Sequence, residues 1–167
     1  MKVEYLPDTG FKIESKEIRW GEKREVIRKI LPGKFRQDDG TLDNASFFDG
    51  DTSYNISYRR DLYENVTATY DGEDCLKELE MFGEENILVL GITLVPGGAI
   101  HECIDALRAI GHEPRIVKEG EFFYERLKMV IATSESMGGE GKGLGYFYAG
   151  REVSHVVEEY DELENGI

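Results

Sequence analysis

Cysteine is scarce in this chain of 167 residues: only Cys75 and Cys103 occur, in no CxxC spacing. That excludes a disulfide framework and a zinc knuckle. Basic residues are also few, 20 Lys+Arg against 34 Asp+Glu, which leaves a formal charge of −14 and a pI near 4.7. Phosphate contacts need clustered Lys and Arg, so direct binding to nucleic acid or to an anionic membrane is excluded as an expectation. No stretch approaches 18 apolar residues, the length of a membrane-spanning helix. The opening residues, Met1-Lys2-Val3-Glu4-Tyr5-Leu6-Pro7-Asp8, lack the basic start and apolar run of a secretory signal. The expectation is a cytoplasmic protein, in which the glycosylation-type triplets at Asn44, Asn55 and Asn65 go unused.

What is present suffices for a core. Hydrophobic residues make up 40% and aromatics 11%, including nine Tyr and eight Phe, whereas a disordered acidic chain is poor in aromatics. The length suits one ordinary domain or two very small ones.

Two segments have helical periodicity. Glu22 to Leu31 gathers Val26, Ile27, Ile30 and Leu31 on one side, with Arg24, Arg28 and Lys29 elsewhere, and Pro32-Gly33 stops it. Ala99 to Ile110 places Ile100, Cys103, Ile104, Leu107 and Ile110 at helical spacing, and Gly111 ends it. Aligning Glu25 with Glu102 brings Val26 onto Cys103, Ile27 onto Ile104 and Ile30 onto Leu107, an offset of 77. Downstream, an offset of 78 pairs Tyr70 with Tyr148, Gly72 with Gly150 and Glu80 with Glu158, and Phe47-Phe48 precedes Phe123-Tyr124 by 76. The pattern predicts an α+β fold of two tandem repeats of about 77 residues. The first repeat covers 1–85, the second 86–167 with an acidic C-terminal tail, and the seam lies near Gly83 to Asn86.

Each repeat reads as a helix packed on an antiparallel meander. Ser53 to Tyr58 alternates with period two, as does Val66 to Tyr70, and Asp71-Gly72-Glu73-Asp74 turns into a strand over Cys75 to Phe82. The matching strands are Lys128 to Ser134 and Leu144 to Tyr148, with Ala149-Gly150-Arg151 turning into a strand over Val153 to Tyr160. Ile87 to Leu94 is β-prone and interrupted by Gly91. Side by side, the repeats would form one continuous curved sheet with helices behind it and the other face bare. Phe82, Phe147 and Tyr160 are the aromatics assigned to that face.

This order, carried by Trp20-Gly21-Glu22 through Leu31 and Tyr70-Asp71-Gly72 through Phe82 with their second copies, resembles the architecture of the β-lactamase inhibitory proteins. It is similar also to the single-repeat lipoprotein of the outer-membrane barrel-assembly machinery and to bacterial immunity-type proteins. The likeness is of architecture over nearly the whole chain, and the disulfides and signal peptide of the secreted inhibitors are missing. It implies a class of work, the occlusion of another protein, and transfers no binding residue.

Sites of chemistry are weak by comparison. His101-Glu102-Cys103-Ile104-Asp105 opens like HExxH but has Asp105 at the second ligand, and reads as an exposed pair on a surface helix. Gly138 to Gly145 lacks the first glycine and the hydroxyl residue of a phosphate loop, and is followed by a strand, so it reads as a mobile hairpin loop. Asp49-Gly50-Asp51 begins like an EF-hand, but Tyr54 and Arg60 stand at its sixth and twelfth positions. His101, His112 and His155 are scattered, and no nucleophilic set emerges.

The combined expectation is a non-enzymatic, cofactor-free inhibitor, an immunity protein that neutralises a basic toxin such as a nuclease effector. Its contacts are assigned to Asp49, Asp51, Asp71, Glu73, Asp74 and Glu158, with Phe82, Phe147 and Tyr160 as aromatic anchors. The competing readings are a ligand-binding protein or enzyme with a pocket between the repeats, and a homo-oligomer in which bare sheets pair.

Overall fold

The structure, a computed structural model, describes residues 1–43 and 55–166. In chain order the elements are β1 (Val3–Leu6), β2 (Gly10–Ile13), β3 (Lys16–Arg19), α1 (Arg24–Ile30), β4 (Arg36–Asp43), β5 (Asn55–Leu62), β6 (Val66–Tyr70) and β7 (Leu76–Met81). They continue with β8 (Ile87–Val89), β9 (Ile92–Leu94), α2 (Ile100–Ala109), β10 (Glu121–Tyr124), β11 (Met129–Thr133), a 3-10 turn at Glu135–Met137, β12 (Leu144–Gly150) and α3 (Ser154–Glu164). The fold is α+β, and none of these helices is long and apolar enough to cross a membrane.

The strands form two sheets, not the one continuous sheet expected. One has the order β3-β2-β1-β8-β9, with β1 and β8 parallel at its centre. The other is antiparallel, β10-β11-β12-β7-β6-β5-β4, joined across the seam by β7 and β12. Both sheets draw strands from 1–85 and from 86–167, so Gly83 to Asn86 lies inside one folded body. The N-terminal hairpins β1–β3 carry too few residues each for periodicity to declare them. Their bend depends on Gly10 at φ 140°, where a Cβ would stand 2.1 Å from the Ile18 carbonyl oxygen.

Period-two alternation explains how the sheets meet. Val3 and Tyr5 on β1 are buried, as are Val66, Ala68 and Tyr70 on β6, Leu79 and Met81 on β7, and Phe147 and Ala149 on β12. Rings from both sheets interlock: Tyr5 and Phe11 lie 5.5 and 6.2 Å from Phe147, both edge-on. Such pairs contribute about 0.5–1.5 kcal/mol each beyond their area. The Tyr5 hydroxyl donates to the Leu127 carbonyl at 2.6 Å. Helix α2 buries Ile100, Cys103, Ile104 and Leu107, as its spacing predicts, whereas Ile110, expected on the same stripe, stands at the C-cap and is 50% exposed.

Two further parts differ from the sequence expectation. Val153 to Tyr160 is not a strand: Ser154–Glu164 is a helix, and the acidic tail is its solvent side. The buried residues Val153, Val156 and Tyr160 stand at i, i+3 and i+7, a helical stripe that the alignment onto β7 conceals. The downstream repeat register also lacks structural equivalence. Tyr70 faces the core at the end of β6 whereas Tyr148 packs in a separate cluster with Tyr160, and Glu80 is in a strand where Glu158 is in a helix.

Helix α1 also presents a charged side chain to the interior. Arg24 is 5% exposed, and Asp61 of β5 is fully buried. Arg24 donates to Asp61 at 2.7 and 3.1 Å, to Asp39 at 2.9 and 3.1 Å and to the Arg60 carbonyl at 3.0 Å. Arg28, one turn on, donates to Asp61 at 2.7 and 2.8 Å. Burial works against the Asp61 charge, but hydrogen bonds from Arg28 and Arg24 outweigh it and hold its pKa below 3.8. Removing one partner strands a buried charge, so Arg24→Met is expected to lose about 3 kcal/mol in urea unfolding, with Arg28 limiting the damage. The depressed pKa gives stability that is present above about pH 3.8 and lost as pH falls through the folded value. An acid titration of folding should therefore have a smaller loss below pH 4 in Asp61→Asn than in the native chain.

Candidate functional site

The outer face of the seven-stranded sheet is divided by α3. Val153, Val156 and Tyr160 pack on Phe123, Val130 and Tyr148, which covers β10 to β12. Arg115 anchors the far end through Asp161 at 2.8 Å and Glu164 at 3.1 Å, and Lys118 reaches Glu159 at 2.8 Å. Beyond the edge of the helix the outer positions of β7 are Glu78 and Glu80, opposite the inward Leu79 and Met81. Glu80 lies across from Tyr148 of β12 and Thr67 of β6, and Glu78 from Gly150 and Thr69.

Between these strands and α3 is a cavity of about 230 Å³. Glu78, Glu80, Glu121 and Glu159 bring four carboxylates to it, and Tyr146, Tyr148 and Tyr160 line it with aromatic rings. His155 stands at its edge, 3.5 Å from Glu78 and 3.3 Å from the Tyr148 hydroxyl. Burial, then the charge of Glu78, pushes the Glu80 pKa up from 4.5, with Arg60 opposing. Burial and the neighbouring glutamates likewise drive the Tyr146 and Tyr148 hydroxyls well above 10, so both stay protonated at neutral pH. The cavity can accept hydrogen bonds from a cation at its carboxylates and stack its rings on one.

The residues assigned from sequence are placed unevenly. Asp49 and Asp51 lie outside the described residues. Asp71 closes a turn: its carboxylate accepts from the Glu73 and Cys75 amides at 2.9 and 3.0 Å and from Arg151 at 3.2 Å. Asp74, at φ 60°, pairs with Arg59 at 3.0 Å, and Glu73 is exposed beside it. Phe82 is 42% exposed and packs 5.5 Å from Tyr146. Glu158 is exposed on α3. Phe147 and Tyr160, each 2% exposed, are corrected from surface anchors to buried residues, Phe147 between the sheets and Tyr160 under α3. An inward position on β12 and the helical stripe of α3 dictate this.

Glu78, Glu80, Glu121, Glu159, Tyr146 and Tyr148 were not assigned from sequence. The alternation in Leu76-Lys77-Glu78-Leu79-Glu80-Met81 already puts Glu78 and Glu80 on one face, but their union with Glu121 and Glu159 depends on pairings across the seam. The histidines stay apart: His101 lines a cleft of about 510 Å³, His112 another, and His155 the acidic cavity. Asp105 pairs with Arg108 at 3.2 Å rather than with His101. Among the described residues no group of three His, Cys, Asp or Glu is placed to hold a metal ion. The glycine-rich loop is tied down by backbone hydrogen bonds, Ser134 to Gly143 at 3.0 Å and Glu135 to Gly141 at 2.9 Å. A Cβ at Gly143 would stand 2.6 Å from the Gly97 carbonyl oxygen, so close packing accounts for that glycine.

Comparison with protein families, with characterised proteins and with solved structures finds no match for this chain.

Because the Glu80 pKa is raised, its ionised form costs stability above the folded pKa, and the cost fades as pH falls towards 4.5. Glu80→Gln is therefore expected to raise Tm at neutral pH. Calorimetry should find the gain shrinking on acidification.

Proposed function

We propose that this protein is an acidic inhibitor that binds and masks a basic protein, most concretely an immunity protein opposing a toxin domain such as a nuclease. The observation that carries the reading is the set of partly buried Glu78, Glu80 and Glu121 with the exposed Glu159, beside tyrosines on the outer sheet face. Glutamates kept in an environment that raises the pKa of one of them are a cost to folding, which a cationic partner would offset. The formal charge of −14 supports steering of such a partner, worth roughly 10- to 1000-fold in association rate at low salt. Tyr146 in the cavity wall and the exposed Phe82 tilted against it supply the apolar contact that a charged rim lacks. The site of action is the cytoplasm, and the mechanism is steric and electrostatic occlusion of the Lys and Arg that a nuclease uses on its substrate.

We further propose that the two halves arose by duplication, in a register different from the sequence alignment. Gly21 donates to Leu76 at 2.9 Å and Leu76 to Glu22 at 2.9 Å, just before α1. Gly97 donates to Leu144 at 2.8 Å and Leu144 to Gly98 at 3.1 Å, just before α2. The same bracket ties each helix start to the first residue of one of the two central strands, β7 and β12.

The inhibitor reading is tested by low-salt affinity capture from the source cells, with native protein beside Glu78→Gln/Glu80→Gln/Glu159→Gln as bait. The expected result is a basic protein in near-stoichiometric amount, released by salt, poorly retained by the triple variant and inactive while bound. Retention of no basic protein, or of an enzyme that stays active in the complex, contradicts it.

A further inference from the structure

We propose that the cleft between the start of α2 and the β11–β12 connection binds a short apolar peptide with both ends free, a ligand with a carboxylate at one end and an ammonium at the other. The cleft has a volume of about 510 Å³, within the roughly 300–1,000 Å³ of small-molecule sites. It shares no lining residue with the acidic cavity beside α3, so the proposal goes beyond the inhibitor reading and does not depend on it. Its two sides carry opposite charge, and each is fixed by contacts of its own. On one side Gly143 bridges to Ala99, while Gly97 donates to Leu144 at 2.8 Å and Leu144 to Gly98 at 3.1 Å. That pins the preceding residue, Lys142, beside the first turn of α2, where His101 stands. On the other side the Ser136 hydroxyl donates to the Thr133 and Gly120 carbonyls at 2.9 and 3.3 Å. A Cβ on Gly120 would stand 2.6 Å from the Thr133 hydroxyl oxygen, so this contact is tight. Glu119 and Glu135 each adjoin it by one residue and line the same cleft.

These charges do not serve the fold. Neighbouring cations are spent on other acids, Lys118 on Glu121 and Glu159 and Arg108 on Asp105 and Glu113. No salt bridge among the described residues uses Lys142, Glu119 or Glu135, all of them exposed. The floor between the two sides is apolar, with Ile100 and Phe122 at 3% and 7% exposure, and Ile116 on the rim is 54% exposed. The ligand that fits has an apolar body, a carboxylate for the Lys142 ammonium and an ammonium for Glu119 and Glu135, both as charge-assisted hydrogen bonds. In a free amino acid the two charges sit on one carbon and cannot meet both sides. In a dipeptide they stand at opposite ends, up to about 7 Å apart.

The test is an NMR titration of the full chain with the dipeptide leucyl-leucine, beside its N-acetyl form, which lacks the ammonium, and its C-terminal amide, which lacks the carboxylate. The expected result is saturable shifts confined to Ile100–His101, Gly120–Phe122, Glu135–Ser136 and Lys142, with each blocked form weaker by at least about tenfold. Two variants assign the two ends. Lys142→Gln should weaken the free dipeptide by a similar factor and leave the amide unchanged. Glu119→Gln/Glu135→Gln should weaken the free dipeptide and leave the acetyl form unchanged. All three side chains are exposed, so both variants fold. Absence of saturable shifts at millimolar dipeptide, equal binding of the three forms, or variants that weaken every form alike would overturn the proposal. Each of those results leaves the inhibitor reading standing, because that reading rests on the outer face between β7 and α3.

Discussion

The buried contact between Arg24 and Asp61 is the constraint on which the first half of the molecule depends. An unpaired charge at either position would be intolerable in the interior. The sheet supplies Asp61, Asp39 and the Arg60 carbonyl, while α1 supplies Arg24 and Arg28, one turn apart. Tyr70 completes the enclosure, with its ring 4.8 Å from the Arg24 guanidinium and its hydroxyl 3.3 Å from Asp61. The network fixes the seating of α1 more narrowly than an apolar stripe would. Short helices gain little from propensity alone, and this one has seven residues.

From that fixed helix the arrangement of the rest follows. The bracket at Gly21 and Leu76 ties the start of α1 to the start of β7, so the seating of the helix and the position of Glu78 and Glu80 are linked. β7 pairs with β12, and β12 carries Phe147 inward to the aromatic cluster and Tyr148 outward beneath α3. One strand pair therefore serves both the core and the outer acidic face. The two faces differ in chemistry: the inner carboxylate, Asp61, is matched by two guanidinium groups, whereas the outer Glu78 and Glu80 are not.

Local signals in the sequence were sufficient for much of the fold. The stripe of α2 and the strand β6 follow from periodicity within their own segments, β7 from the turn at Asp71 to Asp74, and β11 and β12 from their match to the first half. What depends on distant pairing was not legible. The parallel contact of β1 with β8 and the union of β7 with β12 join residues far apart in sequence, and no local pattern encodes them. Arg24 resists sequence reading for a different reason: a charged residue on a short helix reads as solvent-facing, and only the location of Asp61 reverses that. Val153 to Tyr160 carried a helical stripe throughout, but alignment to the first half gave it the wrong period. The acidic cavity was half visible, with Glu78 and Glu80 alternating in β7 and Glu121 and Glu159 joining them only through the folded sheet and helix.

The outer face between β7 and α3 is the surface proposed to hold a basic protein. Hydrogen–deuterium exchange of the protein with and without its captured partner measures this most directly. The account predicts new protection concentrated in Leu76–Met81, Leu144–Gly150 and Ser154–Glu164, diminished by salt. Protection confined to the β3-β2-β1-β8-β9 sheet or to the cleft beside His101, with these three segments unchanged, would contradict it.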